Sequence, residues 1–213
     1  MNNFSPNMLK TYISCPKKYY FKYIQNISMP QPASFFEKGK KIHALANYYL
    51  RGADISNMIN ELDDEEKPVW QKLFENEFFK KTYVNSEYNL SCKIGDFWVG
   101  GRLDALMQDG NDYFILDYKT GSVPKNPETD FQTMVYLMCA DKKLKNYNSL
   151  KFVYIDLRND QNAIIELTTE RKKLYEKALT EICKRITEET EYPQKTDSCS
   201  FCEYSKLCFM NDY

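Results

Sequence analysis

The order of hydrophobic patterns predicts an α/β fold with a largely antiparallel start to its sheet. Three observations carry that reading. The first 80 residues follow helical periodicity, strand-like alternation takes over at residue 86, and an Asp109-Gly110 turn signal separates two of the strands. At 213 residues the chain is long enough for one compact domain with a full core and too short for two ordinary ones.

Each element follows from local sequence. Ser5 before Pro6 reads as an N-cap with proline at the first helical position, and Cys15-Pro16 ends that helix because proline removes a backbone donor. "KKYYFKYI" resumes the helical pattern, followed by helices over 34–50 and 65–81. "SEYNLSCKI", "FWVGGRLDALM" and "DYFILDYK" read as strands; with Asp109 and Gly110 central in a two-residue turn, Gln108 faces Asn111 and Asp104 opposes Ile115. A helix at about 127–141 comes next, then strands "LKFVYIDLR" and "NAIIELT", then a long helix over roughly 169–190. Its stripe of Leu174, Tyr175, Ala178, Leu179, Ile182, Cys183 and Ile186 belongs to the core. One domain therefore has a helical part (1–81), a core (86–190) and a cysteine-dense tail (193–213).

Hydrophobic content of 43%, charged content of 28%, 13 Phe and 17 Tyr describe a globular protein with ample apolar area to bury. No signal-like segment and no run of about eighteen apolar residues occurs, so a cytoplasmic protein with no membrane partner is expected. Seven cysteines in a reducing compartment, an odd count, argue for metal binding over a disulfide framework. Net charge of −1 gives no global pull on nucleic acid. Residues 1–51, however, hold Lys10, Lys17, Lys18, Lys22, Lys38, Lys40, Lys41 and Arg51 against Glu37 alone, a surface for phosphates or a solvated helix face.

Asp117 and Lys119 share a strand face, and the expected register makes Asp104 a diagonal neighbour of Asp117 at about 7–8 Å, within which two carboxylates reach one ion. Paired acids repel unless a cation lies between them or one protonates. Their oxygens suit Mg²⁺ or Mn²⁺, which polarise phosphoryl oxygens, and a nearby lysine can orient water or offset developing charge. In isolation the same residues read first as a solvated strand end with a hairpin ion pair, because such tripeptides are common. His43, the only histidine, tilts such a site towards Mn²⁺ or is an ordinary helix residue. Gln132 and Tyr136 share a helix face.

Cys199, Cys202 and Cys208 follow C-x2-C-x5-C spacing, and Cys15 offers a fourth thiolate from the other end of the chain. Four thiolates suit zinc or an iron–sulfur cluster about equally. Cys92 and Cys139 read as small buried hydrophobes.

Taken in order, "SPNMLKTYISCPKKYYFKYI", "GKKIH", "GGRLD", "ILDYKTG", "QTMVY" and the cysteine tail resemble the PD-(D/E)XK nuclease superfamily. Within it they resemble the RecB-like branch, which includes the RecB and AddB nuclease domains and the stand-alone CRISPR-associated exonucleases. The resemblance implies a restriction-endonuclease-like mixed sheet core flanked by helices. It implies that His43, Asp104, Asp117 and the backbone carbonyl of Tyr118 ligate Mn²⁺ or Mg²⁺, and that Lys119 is the catalytic lysine. Gln132 and Tyr136 match a motif that helps bind DNA and supports the active site. Cys15, Cys199, Cys202 and Cys208 match four ligands of a 4Fe-4S cluster. Glu87 matches a further acidic position, and Arg102 meets a phosphate or pairs with an acid. The basic, aromatic "KKYYFKYI" suits a lobe that passes single-stranded DNA, or is core.

The implied function is a metal-dependent DNA nuclease, an exonuclease on single strands or duplex ends, in repair, recombination or CRISPR spacer acquisition. The chain carries neither a helicase motif nor a Walker-type loop, so a helicase or a CRISPR integrase would be a separate partner protein. The alternative is a non-catalytic DNA-binding or assembly subunit of such a complex.

Overall fold

The structure is a computed structural model and describes residues 3–29 and 34–210, with the side chains of 34–38, 196–198 and 210 outside the description. Glu37 and Lys38 of the basic segment are among those side chains. Ser5 caps α1 (Pro6–Ser14), its hydroxyl accepting from the Met8 amide, and the helix ends at Cys15 as expected. α2 (Pro16–Tyr19) runs into a π turn over Tyr20–Ile24. α3 (Ser34–Leu50) matches its predicted span, and a short α4 (Ser56–Asn60) follows that the sequence reading lacked. α5 covers Glu66–Glu75 and not 65–81. Asn76 ends it, its side-chain oxygen accepting from the Phe78 amide in competition with the helix.

Six strands form one mixed sheet: β1 (Asn3–Phe4), β2 (Thr82–Ile94), β3 (Phe97–Asp109), β4 (Asp112–Lys119), β5 (Ser149–Asp156) and β6 (Gln161–Glu166). β2, β3 and β4 are antiparallel, β4 and β5 parallel, and β5 and β6 antiparallel. The hairpin register corrects the expectation: Asp109 pairs with Asp112 and Leu106 with Ile115, so Gly110 and Asn111 are the turn residues. Gly110 has φ +57°, and a tight hairpin with glycine first among its central residues needs this left-handed conformation.

Both β1 and β4 lie on the edge of β3 that faces away from β2. β1 pairs there in parallel with Trp98 and Val99, and β4 pairs with Ala105 to Asp109. Gly100 to Asp104 are thus left without a strand partner on that edge, among the described residues.

Helices cover both faces. α1, α6 (Phe131–Lys143) and α7 (Thr169–Glu188) enclose a core containing Leu9, Val135 and Leu179, while α3 and α5 enclose another containing Leu45, Trp70 and Leu73. α6 begins at Asp130 and not near 127, because the Asp130 carboxylate accepts from the Gln132 amide as an N-cap. The α7 stripe is core except for Leu174, which sits on its flank and is 63% exposed. Cys92 and Cys139 are buried in contact with each other. A third cluster joins Phe21 to Tyr204 and Cys208, tying the first helices to α8 (Ser205–Met210). Tyr19 and Phe21 are buried, and Tyr20 and Tyr23 pack on neighbouring rings, so most of the "KKYYFKYI" aromatics serve packing. No described helix is long and apolar enough to cross a membrane.

Candidate active site

The β3–β4 ladder stops at Ala105 and Leu116, and the next residues on each strand, Asp104 and Asp117, flank the opening. Tyr118 there has backbone groups that no β3 backbone meets. Side chains meet them instead: the Tyr118 amide donates to Asp104 Oδ2 at 3.0 Å, and His43 Nε2 of α3 lies 3.0 Å from the Tyr118 carbonyl oxygen. His43 Nδ1 is 3.3 Å from Asp104 Oδ1. Burial works against a charged ring, but Asp104, Asp117 and the Tyr118 carbonyl outweigh it and hold the His43 pKa above its ordinary value. A ring facing two acceptors in this way suits a site for positive charge.

The expected shared face of the two acids is replaced by a more particular arrangement. Val99 and Leu103 pack on the α6 side of β3, whereas Ala105 and Met107 pack on the α3 side, so the strand's alternation breaks at Asp104. Asp104 therefore addresses His43 on α3, while Asp117 addresses Gln132 on α6. Gln132 Nε2 donates to Asp117 Oδ1, and Lys119 Nζ donates to Gln132 Oε1 at 3.4 Å. One amide thus holds both the acid and the lysine. Asp117 Oδ2 is buried, 2.7 Å from the Lys119 ammonium in an ion pair. Burial first, and the Asp104 charge second, push the Asp117 carboxyl up to about 6 against the pull of Lys119 and His43. The acids are electrostatically coupled across the gap.

Tyr136 donates from its hydroxyl to the Arg102 carbonyl at 2.9 Å, satisfying part of the unpaired β3 edge. Its ring end fits only because residue 101 is glycine: a Cβ there would lie 2.8 Å from the Tyr136 oxygen. Tyr136 supports the strand that carries Asp104, with no described contact to either acid.

The sequence gives Glu87 little prominence, yet its carboxylate, with those of Asp104 and a His43 ring nitrogen, forms a group whose ligand atoms all lie within 4.8 Å of one another. Glu87 has φ +48°, a left-handed backbone that a non-glycine residue adopts at a cost of about 1 kcal/mol or more. It is level with Asp104 in the β2–β3 register, where the pairing skips from Ser86 to Tyr88. Arg102 pairs with it, Nε to Oε2 at 2.8 Å, which is the acid-pairing role. These residues open onto a cleft of about 650 Å³ whose other wall is α3 from Gly39 to Tyr48, with Arg51 just past its end. His43, Glu87 and Asp104 are a donor set fit for a hard divalent cation, and Asp117, paired with Lys119, lies outside that group.

The sequence profile of the PD-(D/E)XK nuclease superfamily matches residues 3–209. The chain belongs to that superfamily. Its fold resembles the solved structure of a Eubacterium rectale protein named "Putative exonuclease", with a TM-score of 0.60, 11% identity, and coverage of 97% of this chain and 88% of that one. The structure named "SSO0001" aligns with a TM-score of 0.44 and 18% identity, covering 97% and 85% of the two chains. No curated protein matches. Membership implies nuclease chemistry on DNA, and PD-(D/E)XK nucleases use divalent metals.

At the far end of this nuclease, Cys15, Cys199, Cys202 and Cys208 line one cavity of about 110 Å³. All four are free thiols. Hydrogen bonds reach their sulfurs from the Lys195 amide, 3.5 Å from Cys15, and from Gln194 Nε2, 3.6 Å from Cys199. A tetrahedral zinc with bonds of about 2.3 Å draws its sulfurs to within about 4 Å of each other. Among the described residues no three of these sulfurs lie within 4.8 Å of one another. Four thiols around one cavity suit zinc or an iron–sulfur cluster.

Proposed function

We propose that this PD-(D/E)XK chain is a DNA exonuclease that hydrolyses phosphodiester bonds with Mn²⁺ or Mg²⁺. The observation that carries the reading is the opening between β3 and β4, at which Asp104, Asp117, Lys119 and His43 converge from three elements. His43, Asp104, Asp117 and the Tyr118 carbonyl would hold the ion, with Glu87 beside them. When bound, such an ion supplies charge to the phosphoryl oxygen and makes water a better nucleophile. Asp104 and His43 fix each other's orientation. Gln132 holds the Lys119 ammonium beside Asp117, where it orients the attacking water or offsets charge building on the phosphate. The Eubacterium rectale protein's name favours exonuclease action; single strands or duplex ends are the substrate that the RecB-like resemblance implies.

The test is divalent-dependent degradation of labelled DNA by the wild type and by Lys119→Ala. Loss of cleavage in the variant is expected, and equal rates would refute the assigned roles. DNA binding with no turnover by the wild type would favour the non-catalytic assembly subunit.

The four-thiol cavity supports a 4Fe-4S cluster held by Cys15, Cys199, Cys202 and Cys208, the arrangement of the RecB-like, CRISPR-associated branch. Such a chain would work in recombination, repair or spacer acquisition, beside a separate helicase or integrase. Visible absorbance with four iron atoms per chain is the expected result for protein purified without oxygen. A colourless protein with one zinc would overturn it.

A further inference from the structure

Three side chains beside the candidate ion site have no partner. Lys40, Tyr48 and Arg51 line the same cleft as His43, Glu87 and Asp104, and none makes a hydrogen bond, ion pair or ring contact among the described residues. They share one face of α3 and its end, spaced at helical turns, so the two cations stand about 16 Å apart along the helix with the ring between them. Other cleft residues are already engaged: Asn47 accepts from the Ser86 hydroxyl at 2.7 Å, and Arg102 is held by Glu87.

The contrast with the next residue is informative. Tyr49 packs against Trp70, Phe74 and Phe79, as an aromatic side chain normally does on folding. Tyr48 turns the other way and is 51% exposed in a charged cleft. An unstacked ring between two unpaired cations matches the chemistry of an unpaired nucleic acid strand, whose bases stack on rings and whose phosphates meet ammonium and guanidinium groups. In a duplex both faces of each base are already covered by neighbours, so the ring would have nothing to take.

We propose that this face of α3 is the track for single-stranded DNA, with Tyr48 stacking on a base near the reacting phosphate and Lys40 and Arg51 holding phosphates on either side. This deepens the nuclease reading and rests on it for the position of the reacting phosphate. It also moves the strand path from the "KKYYFKYI" segment, whose rings are mostly packed, to α3.

The test is fluorescence anisotropy of a labelled single strand and of the matching duplex, in metal-free buffer so that no turnover occurs. Tyr48→Ala should weaken single-strand binding about tenfold. Tyr48→Phe should retain it, and duplex binding should not change. Lys40→Gln and Arg51→Gln should each lower the slope of log affinity against log salt by about 0.7. A 2-aminopurine base in the strand should be quenched by the wild type and not by Tyr48→Ala. No loss with Tyr48→Ala, or an equal loss on strand and duplex, would overturn the proposal. Because these readouts need no cleavage, they stay interpretable if the Lys119→Ala assay refutes the nuclease roles; cleavage that requires Lys119 while Tyr48→Ala binds normally would sink the track alone.

Discussion

The His43 ring, 3.0 Å from the Tyr118 carbonyl oxygen through Nε2, links α3 to the strand end where the sheet opens. Its other nitrogen faces Asp104 at 3.3 Å. Replacing the ring removes one donor to the ion and frees two others to drift. His43→Ala is expected to weaken Mn²⁺ binding at least tenfold by isothermal titration calorimetry, with the far-ultraviolet circular dichroism unchanged. Wild-type affinity in the variant would show that the ion lies elsewhere.

Gln132 bonds to both Asp117 and Lys119. Gln132→Ala leaves the buried Asp117 oxygens short of a donor and the lysine without its brace. The variant should lose about 1–3 kcal/mol of stability in urea unfolding. Its kcat should fall about a hundredfold while KM changes little. A variant with unchanged kcat would reduce Gln132 to a packing residue.

Asp117 also sets a pH dependence. Its folded carboxyl titrates near 6, above the unfolded value of 3.8, because burial and Asp104 disfavour the charged form. A group raised in this way favours the fold while it is protonated in both states, and that advantage is lost as pH rises from about 4 through 6. The metal-free protein should therefore lose stability over that window relative to Asp117→Asn. Protons also compete with the ion, so apparent Mn²⁺ affinity should weaken as pH falls through about 6. His43, whose pKa is also raised, adds to this competition. Parallel stability curves for wild type and Asp117→Asn would contradict the assignment.

Gly101 leaves room for Tyr136. A methyl group at this position would meet the Tyr136 oxygen at 2.8 Å and displace its bond to the Arg102 carbonyl. Gly101→Ala should cost about 1–3 kcal/mol in thermal unfolding. Tyr136→Phe, which keeps the ring and loses the hydroxyl, should cost less. Combining the two should then cost less than their sum, because both act on one contact.

Features written in neighbouring residues were legible in the sequence. The Ser5-Pro6 cap, the strand order after residue 86 and the acid-lysine pair at the end of β4 all come from local chemistry. The hairpin register was misjudged because Gly110, and not Asp109, takes the first turn position. The opening beside Asp104 depends on β1, a strand of two residues distant in the chain, and short pairings of that kind leave no periodicity to read. Glu87 joins His43 and Asp104 because its backbone turns left-handed inside a strand, which "SEYNL" does not signal. The α5 helix stopped short of residue 81 because the single side chain of Asn76 outweighed the pattern around it.

The cavity shared by Cys15 and the tail cysteines imposes an order on how the molecule is made. A ribosome releases residue 15 long before residue 208, so the first helices must wait for almost the whole polypeptide before their site is complete. Until then Phe21, which the finished protein covers with Tyr204, faces solvent or a chaperone. A premature stop after Pro193 would thus injure the beginning of the protein as much as its end.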